Sequence, residues 1–291
     1  MKKMKSLLGL LLAATMVLTF VGCGKDVETK TPEETPEAIT ETPSETTISG
    51  EVAISGSTSV EKIGNATGEE FIAINPEAGF SYEAIGSSAG VKNAHEGVTP
   101  IGASSRNLKE EEKTWGLTEV VVAYDGIAVV THPDNAVKAL TMEQITAIYK
   151  GEITNWSEVG GADQVIVVVS REDGSGTRGA FEELLEFEKE LTANAMIAEG
   201  NGNVQTSVAG NPQAIGYVSL TSIDETVKAV SVNDVEATVE NVLAETYKIS
   251  RPFLMIYHEE NMTTATQAYM DFILSEEGQV IVTESGGIPV K

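Results

Sequence analysis

The sequence predicts an α/β fold with mostly parallel sheets. Three observations carry that expectation. Runs of β-branched residues, such as Val165-Ile166-Val167-Val168-Val169, alternate with stretches of helical spacing. Several of these strands run into helices through turns built from glycine and small hydroxyl residues. The chain has 291 residues, enough for one large domain or two medium ones.

The first stretch stands outside the pattern. MKKMK is a positively charged start, and LLGLLLAATMVLTFVG is an apolar run ending in small residues. Together they read as a secretory signal over residues 1–22. The run is shorter than the roughly 20 residues that typically span a bilayer. Cys23 is the one cysteine of the chain, so no intramolecular disulfide can form. It follows Val21-Gly22 in the manner of a bacterial lipobox, whose thiol is lipidated and becomes the first residue. Phe20 stands where that motif usually has leucine. A plain signal peptide with a chance cysteine is the alternative. Residues 23–47 then form a tether: the stretch to Thr47 is rich in Thr, Pro and Glu and has no apolar period. It cannot bury a core and is expected to be extended and self-repelling.

From Ile48 the alternation begins. EVAIS (51–55) reads as a strand. STSVEKIGNATGEEFIAIN (57–75) reads as a helix with apolar positions at Val60, Ile63, Phe71 and Ile74. FSYEAIG (80–86) is a strand, SAGVKNAHEG (88–97) a short helix, TPIGASS (99–105) a strand end, and EVVVAYDGIAVVTHP (119–133) a long strand. LTMEQITAIYKG (140–151) has helical spacing at Met142, Ile145, Ile148 and Tyr149 and a glycine stop, followed by a Trp-bearing turn. VIVVVS (165–170) is a buried strand, and TRGAFEELLEFEKEL (177–191) an amphipathic helix. RPFLMIY (251–257) is a strand, and one helix closed by glycines is expected over 265–287. No internal repeat is present.

Charge restricts the function. The formal net charge is −25, which argues against a nucleic-acid partner, whose phosphates require a basic face. It argues equally against holding an anion through a broad positive field. An anion would have to be held locally, by aimed N–H groups and an arginine.

Three turns have the composition for this: Ser55-Gly56-Ser57-Thr58-Ser59, Gly86-Ser87-Ser88-Ala89-Gly90 and Gly174-Ser175-Gly176-Thr177. Each lies between a predicted strand and a predicted helix start. Helix N-termini carry unpaired N–H donors and partial positive charge, and hydroxyls add rotatable donors. Taken singly, each turn reads better as an ordinary helix cap. Three in one α/β chain, with Arg171 close by, favour a shared anion.

GSGTRG (174–179) also satisfies the dinucleotide pattern G-x-G-x-x-G, with Glu199 at about the ribose-acid spacing. That reading is set aside. Arg171-Glu172-Asp173 separate the strand from the first glycine, Glu199 between AMIA and GNGN does not clearly end a strand, and an exported protein rarely meets NAD. No phosphate-binding P-loop motif occurs. Ser175 lies in G-S-G rather than G-x-S-x-G. The three histidines, His95, His132 and His258, offer no evident base, and no Cys or His cluster suggests a metal. The chain therefore reads as a binder, not an enzyme, with no cofactor.

SREDGSGTRGAF (170–181) resembles the S-R-x-D-G-S-G-T signature of the phosphate-binding proteins of Pst-type ABC importers. ISGSTSV, AIGSSAGVKNAHEG, IGASSRNL, the segment from Leu140 to Gly161, NPQAIGYVSL, SRPFLMIY and FILSEEGQVIV resemble the corresponding stretches in the same order, covering nearly all of 48–291. The resemblance implies a two-lobed periplasmic-binding-protein fold of class II, with the ligand dehydrated in the cleft and hinge closure over it. The crossings are expected near Tyr124 and Tyr247, giving one lobe of 48–123 plus 248–291 and another of 124–247. It implies inorganic phosphate held by Thr58 and Ser59, by Ser87, by Arg171, and by Ser175, Gly176 and Thr177, with Asp173 orienting Arg171. Where some members carry a proton-accepting aspartate after GAS, this chain has Ser105. Asp125 is the candidate replacement, and a hinge-turn role for it is equally supported.

The partners implied are the membrane permease subunits of a phosphate importer. The location implied is the outer face of the bacterial cell membrane, lipid-anchored, as a monomer. A binder of sulfate or molybdate, an exported phosphoester-acting enzyme, and a surface sensor or adhesin are the alternatives.

Overall fold

The computed structural model describes residues 47–290. The signal, the tether up to Thr46, Cys23 and Lys291 lie outside the described residues. The unit considered below is Thr46–Lys291.

Its first part contains strand β1 (Ser49–Gly56), helix α1 (Glu61–Ile74), β2 (Glu77–Ala84), α2 (Ser87–His95), β3 (Ile101–Ser104) and the long β4 (Thr118–Thr131). There follow β5 (Ala139–Leu140), α3 (Met142–Lys150), β6 (Val167–Arg171), α4 (Gly176–Leu184), β7 (Met196–Ala198), α5 (Gly200–Ala209) and β8 (Ala214–Ser219). The chain ends through β9 (Lys228–Ala229), β10 (Ser231–Val232), α6 (Val239–Leu243), β11 (Ser250–Tyr257), α7 (Thr264–Ile273) and α8 (Glu276–Glu284).

The main sheet has the order β2-β1-β3-β11-β4-β8-β6-β7, with β9 also on β4. Its two ends are parallel, β2-β1-β3 on one side and β8-β6-β7 on the other. The middle is not. β11 runs antiparallel to β3 and β4, and β4 runs antiparallel to β8. The expectation of mostly parallel strands therefore needs correction at the centre. β4 is shared: residues up to Gly126 pair with β11, and Ile127 onward pairs with β8.

Apolar burial divides at the same place. Val52, Ile54, Ile63, Phe71, Val122, Phe253, Tyr269 and Val282 belong to one cluster. Ile127, Ile145, Tyr149, Trp156, Phe181, Tyr217 and Tyr247 belong to another. After α8 the chain returns to the second cluster, where Ile288 is buried and bridges to Tyr124.

Local chemistry explains most element ends. α3 starts at a capping box between Thr141 and Gln144 and stops at Gly151 in the left-handed region. In α1, Ile63, Thr67 and Phe71 recur at four-residue spacing and are buried, but Ile74 in the last turn is exposed. Two expected helices are shorter than their periodicity suggested. α4 ends at Leu184, and the chain turns through positive φ at Glu186 and Lys189. The single helix expected over 265–287 is two, broken at Leu274-Ser275. Ser275 Oγ accepts from the Gly278 N–H and caps α8.

Candidate functional site

The three glycine–hydroxyl turns converge, although they come from distant parts of the sequence. Ser59 Oγ and Thr177 Oγ1 share a hydrogen bond of 3.0 Å across 118 positions. Ser57 Oγ donates to Ser105 Oγ at 2.8 Å. The Ser105 N–H donates to Ser87 Oγ at 3.1 Å, and the Ser88 N–H donates to the Gly174 carbonyl at 3.1 Å. Ser57, Ser59, Ser87, Ser105 and Thr177 are all buried. A ring of small hydroxyls is thus closed between the β1, β3 and α2 side and the start of α4.

Backbone geometry brings the turns this close. Gly56 has φ +148°, and a side chain there would run into the Ala103 carbonyl. Gly176 opens α4 against Ser87 and Ser105. A methyl group there would overlap Ser87 Oγ and stand 2.6 Å from Ser105 Oγ. The first N–H groups of α4, those of Gly176 and Thr177 among them, have no carbonyl partner inside the helix. They lie at the positive end of its dipole.

Each hydroxyl has its own local role. Thr58 and Ser59 precede α1 and do not cap it, since the N-cap is Val60 with no side-chain bond. Their hydroxyls are therefore available to the cleft. Ser175 does cap its helix, accepting from the Arg178 N–H at 3.2 Å. For Ser175 the ordinary capping role is what the structure shows.

Two buried arginines flank the ring. Arg171, at the end of β6, is 1% exposed. Its NH2 donates to Thr58 Oγ1 at 3.2 Å and its NH1 to Asn201 Oδ1 at 3.3 Å. The residue that orients it is Glu172, which takes Nε at 2.8 Å and NH2 at 2.7 Å. The role expected for Asp173 is corrected accordingly. Asp173 is 98% exposed and accepts from Arg178. One residue before it, Glu172 faces back along Arg171 and also accepts from the Gly200 N–H. Burial pushes the Glu172 carboxyl up, but the Arg171 pair outweighs it and holds the group below its ordinary range.

The second arginine, Arg251 on β11, was missed by the sequence reading, which expected one. The signal was available: an arginine heading the otherwise apolar strand RPFLMIY needs a buried partner. That partner is Asp125, directly opposite in the β4–β11 register. Asp125 Oδ2 accepts from Arg251 Nε at 3.1 Å and NH2 at 2.8 Å, and Oδ1 accepts from Ser219 Oγ at 2.9 Å. Asp125 therefore lies inside a continuous strand and not in a turn, and its carboxylate accepts from the Arg251 and Ser219 side chains. Burial raises its pKa, and Arg251 opposes that shift. Arg251 also reaches the ring: NH2 donates to Ser59 Oγ at 3.1 Å and NH1 to the Ser105 carbonyl at 3.0 Å.

A fourth strand–turn–helix junction was also missed. AMIA does end a strand, β7, parallel to β6, so Glu199 follows a strand end after all. Glu199 caps α5 without a side-chain bond. The residue of this junction that reaches the ring is Asn201, buried in the first turn of α5, whose Nδ2 donates to Ser59 Oγ at 3.0 Å.

The two arginines and their two carboxylates sum to zero formal charge. What remains is a concentration of buried N–H and O–H donors, the chemistry that holds a small tetrahedral oxyanion. Among the described residues no group of three or more His, Cys, Asp or Glu is placed to hold a metal.

Comparison with known proteins agrees with this chemistry. The family model described as a PBP superfamily domain matches residues 41–277. The phosphate-binding protein PstS of Bacillus subtilis is 33% identical, the match covering 100% of this chain and 95% of that protein. The chain belongs to the PstS phosphate-binding protein family. PstS of Borreliella burgdorferi is 31% identical over 82% of this chain and 90% of its own length. Among solved structures, a substrate-binding protein ascribed to a phosphate ABC transporter of Clostridium perfringens, crystallised with phosphate, is 56% identical. It matches with a TM-score of 0.82 over 83% of this chain and 100% of its own. A phosphate transport receptor from Vibrio cholerae is 38% identical, with a TM-score of 0.72 over 82% and 99% of the two chains. The fold of this PstS family member is thus that of the periplasmic binding proteins, as the resemblance implied. The family comprises substrate-binding proteins of ABC transporters, not enzymes.

Proposed function

We propose that this chain captures inorganic phosphate outside the cell and delivers it to the permease subunits of an ABC importer. The observation that carries the reading is the closure of four strand–turn–helix junctions onto one ring of buried donors, with Arg171 and Arg251 at its edge. Thr58, Ser59, Ser87, Arg171, Gly176 and Thr177 are the proposed contacts. Ser175 contributes as the cap that sets the start of α4. Ser105, whose Oγ receives Ser57 at 2.8 Å and shares a longer contact of 3.4 Å with Ser87 Oγ, accepts in this reading the proton that phosphate keeps near neutral pH. Asp125 acts on the ligand through Arg251.

The proposed hinge lies at the crossings near Tyr124 and Tyr247, with lobes of 48–123 plus 248–291 and of 124–247, and it closes over the ligand. Calorimetric titration of the fragment beginning at Ile48 with phosphate, sulfate and molybdate tests the function. Tight phosphate binding with much weaker binding of the other two is expected. A preference for sulfate or molybdate overturns the phosphate reading.

The proposed location is the outer face of the cell membrane, with a monomeric folded unit held by a lipid on Cys23. The support is the charged start, the apolar run and the cysteine at its end. The several acyl chains of a bacterial lipoprotein anchor firmly where one chain does not. Cys23→Ser is expected to release the protein from the membrane fraction and leave phosphate binding unchanged. Retention of the serine variant after a high-salt wash overturns the anchor.

A further inference from the structure

Ser59 uses every hydrogen-bonding position that a neutral hydroxyl has. Its Oγ receives Arg251 NH2 at 3.1 Å and Asn201 Nδ2 at 3.0 Å, and it shares a bond of 3.0 Å with Thr177 Oγ1. A guanidinium can only donate. The Asn201 amide is fixed in orientation too, because its Oδ1 faces two donors, Arg171 NH1 at 3.3 Å and the Ser219 N–H at 3.3 Å. Turning the amide over would set N–H against N–H on that side.

A hydroxyl has one proton and two acceptor positions. Two N–H donors fill both acceptor positions of Ser59. Its proton has one direction left, across the cleft toward the start of α4. We propose that Asn201 and Arg251 are positioning residues that fix the Ser59 hydroxyl as a donor aimed at the bound oxyanion. The inference rests on the phosphate reading above and adds to it the residues that set the polarity of one contact.

The consequence is selectivity among the ligand's own oxygens. A hydroxyl with free lone pairs can meet either a bare oxygen or a protonated one. Ser59, with its lone pairs filled, can meet only a bare one. The protonated oxygen of a phosphate ion must then face away from Ser59, toward the Ser105 side of the ring. Ser57 repeats the device in weaker form. It accepts the Ser59 N–H at 3.1 Å and donates onward to Ser105.

A double-mutant cycle on the fragment from Ile48 tests this, with phosphate affinity read by calorimetry and folding checked by thermal melting. The variants are Ser59→Ala, Asn201→Ala and their combination. Ser59→Ala is expected to weaken binding about tenfold, and Asn201→Ala about fivefold in the parent, in the range of the net contribution of one ordinary hydrogen bond. In the Ser59→Ala background the same Asn201 change is expected to cost less than about twofold, since the hydroxyl it orients is gone. A purely packing role, or action through Arg171, would cost the same in both backgrounds, and that result overturns the proposal. If Asn201→Ala does not fold, Asn201→Ser is used in the same cycle. Arg251→Lys provides an independent arm. It keeps a cation opposite Asp125 but offers a single ammonium in place of the guanidinium fork, so its loss is also expected to shrink when Ser59 is alanine. A wild-type fragment that binds no phosphate overturns the phosphate reading, and this inference with it. Wild-type binding with an additive cycle overturns this inference alone.

Discussion

At the scale of single residues, the assignment of Glu172 and Asp173 is the sharpest test of the site. The two acids are adjacent, yet their side chains go different ways where the chain leaves β6 through a turn, closed by the Ser175 N–H donating to the Glu172 carbonyl at 3.2 Å. Glu172 holds Arg171 at the cleft, and Asp173 faces solvent beside Arg178. Glu172→Gln leaves a buried guanidinium without its counter-ion. Breaking a fully buried pair costs 3–5 kcal/mol, and because Glu172 is 24% exposed the expected loss is about 2–3 kcal/mol. A bound anion restores part of the missing charge, so the thermal shift produced by phosphate should be larger in Glu172→Gln than in the parent. Asp173→Asn should change stability by less than about 0.5 kcal/mol, as for an ordinary surface substitution. If the two variants behave alike in melting scans with and without phosphate, the assignment is wrong. The motif itself did not distinguish the two acids, because that depends on which of them faces the cleft when the strand ends. The buried pairing of Arg251 with Asp125 was equally hidden, since 126 positions separate the partners.

Elements make the site by where they begin. α4 begins at Gly176 against Ser87 and Ser105, and a larger residue there holds the two sides apart. Gly176 lies within helical backbone and is not among the residues of positive φ, so alanine is compatible with folding. Gly176→Ala is therefore expected to melt within a few degrees of the parent and to bind phosphate at least about tenfold more weakly, the equivalent of ~1.4 kcal/mol. Unchanged affinity in calorimetry would mean that this close approach is not part of the bound state. The existence of most strands and helices was legible from periodicity, but their ends were less so. The break at Ser275 depends on a cap that competes with helix continuation, and the early end of α4 on tertiary packing around Leu185 and Phe187, both buried. β7 was missed because a strand of three residues, MIA, has too little pattern to read.

For the whole molecule, the acidic charge and the buried ion pairs set the response to pH. Arg106 and Glu112 form a bidentate pair, 2.7 and 2.8 Å, with both side chains 4% exposed. Burial pushes the Glu112 carboxyl up, but Arg106 and the Lys109 N–H hold it below its ordinary range. Glu172 is lowered in the same direction. A carboxyl whose folded pKa is depressed gives stability that is fully present above its unfolded value, about 4.3, and is lost as pH falls through the folded value. Asp125, with its pKa raised by burial, works with the opposite sign, so the test must isolate one group. The stability difference between wild type and Glu112→Gln, from denaturant titrations, should be largest near neutral pH and shrink as pH drops below about 4. A difference that is constant from pH 7 to pH 3 would show that the ionised pair contributes nothing through its charge.

The amino-acid sequence by itself determined the class of the fold, the three glycine–hydroxyl turns, Arg171, and the need to hold an anion by local donors in a chain of net charge −25. Each of these follows from short-range physics: side-chain periodicity, the backbone freedom of glycine, and the unpaired N–H groups at helix starts. Tertiary structure decided the rest: that the central strands β4 and β11 are antiparallel, that Glu172 rather than Asp173 serves Arg171, that Asp125 pairs with Arg251, and that Arg251 and Asn201 join the site. A buried polar group must find its partner wherever the fold delivers one. Here the partners stand from one to 192 positions apart along the chain, a separation that no local pattern encodes.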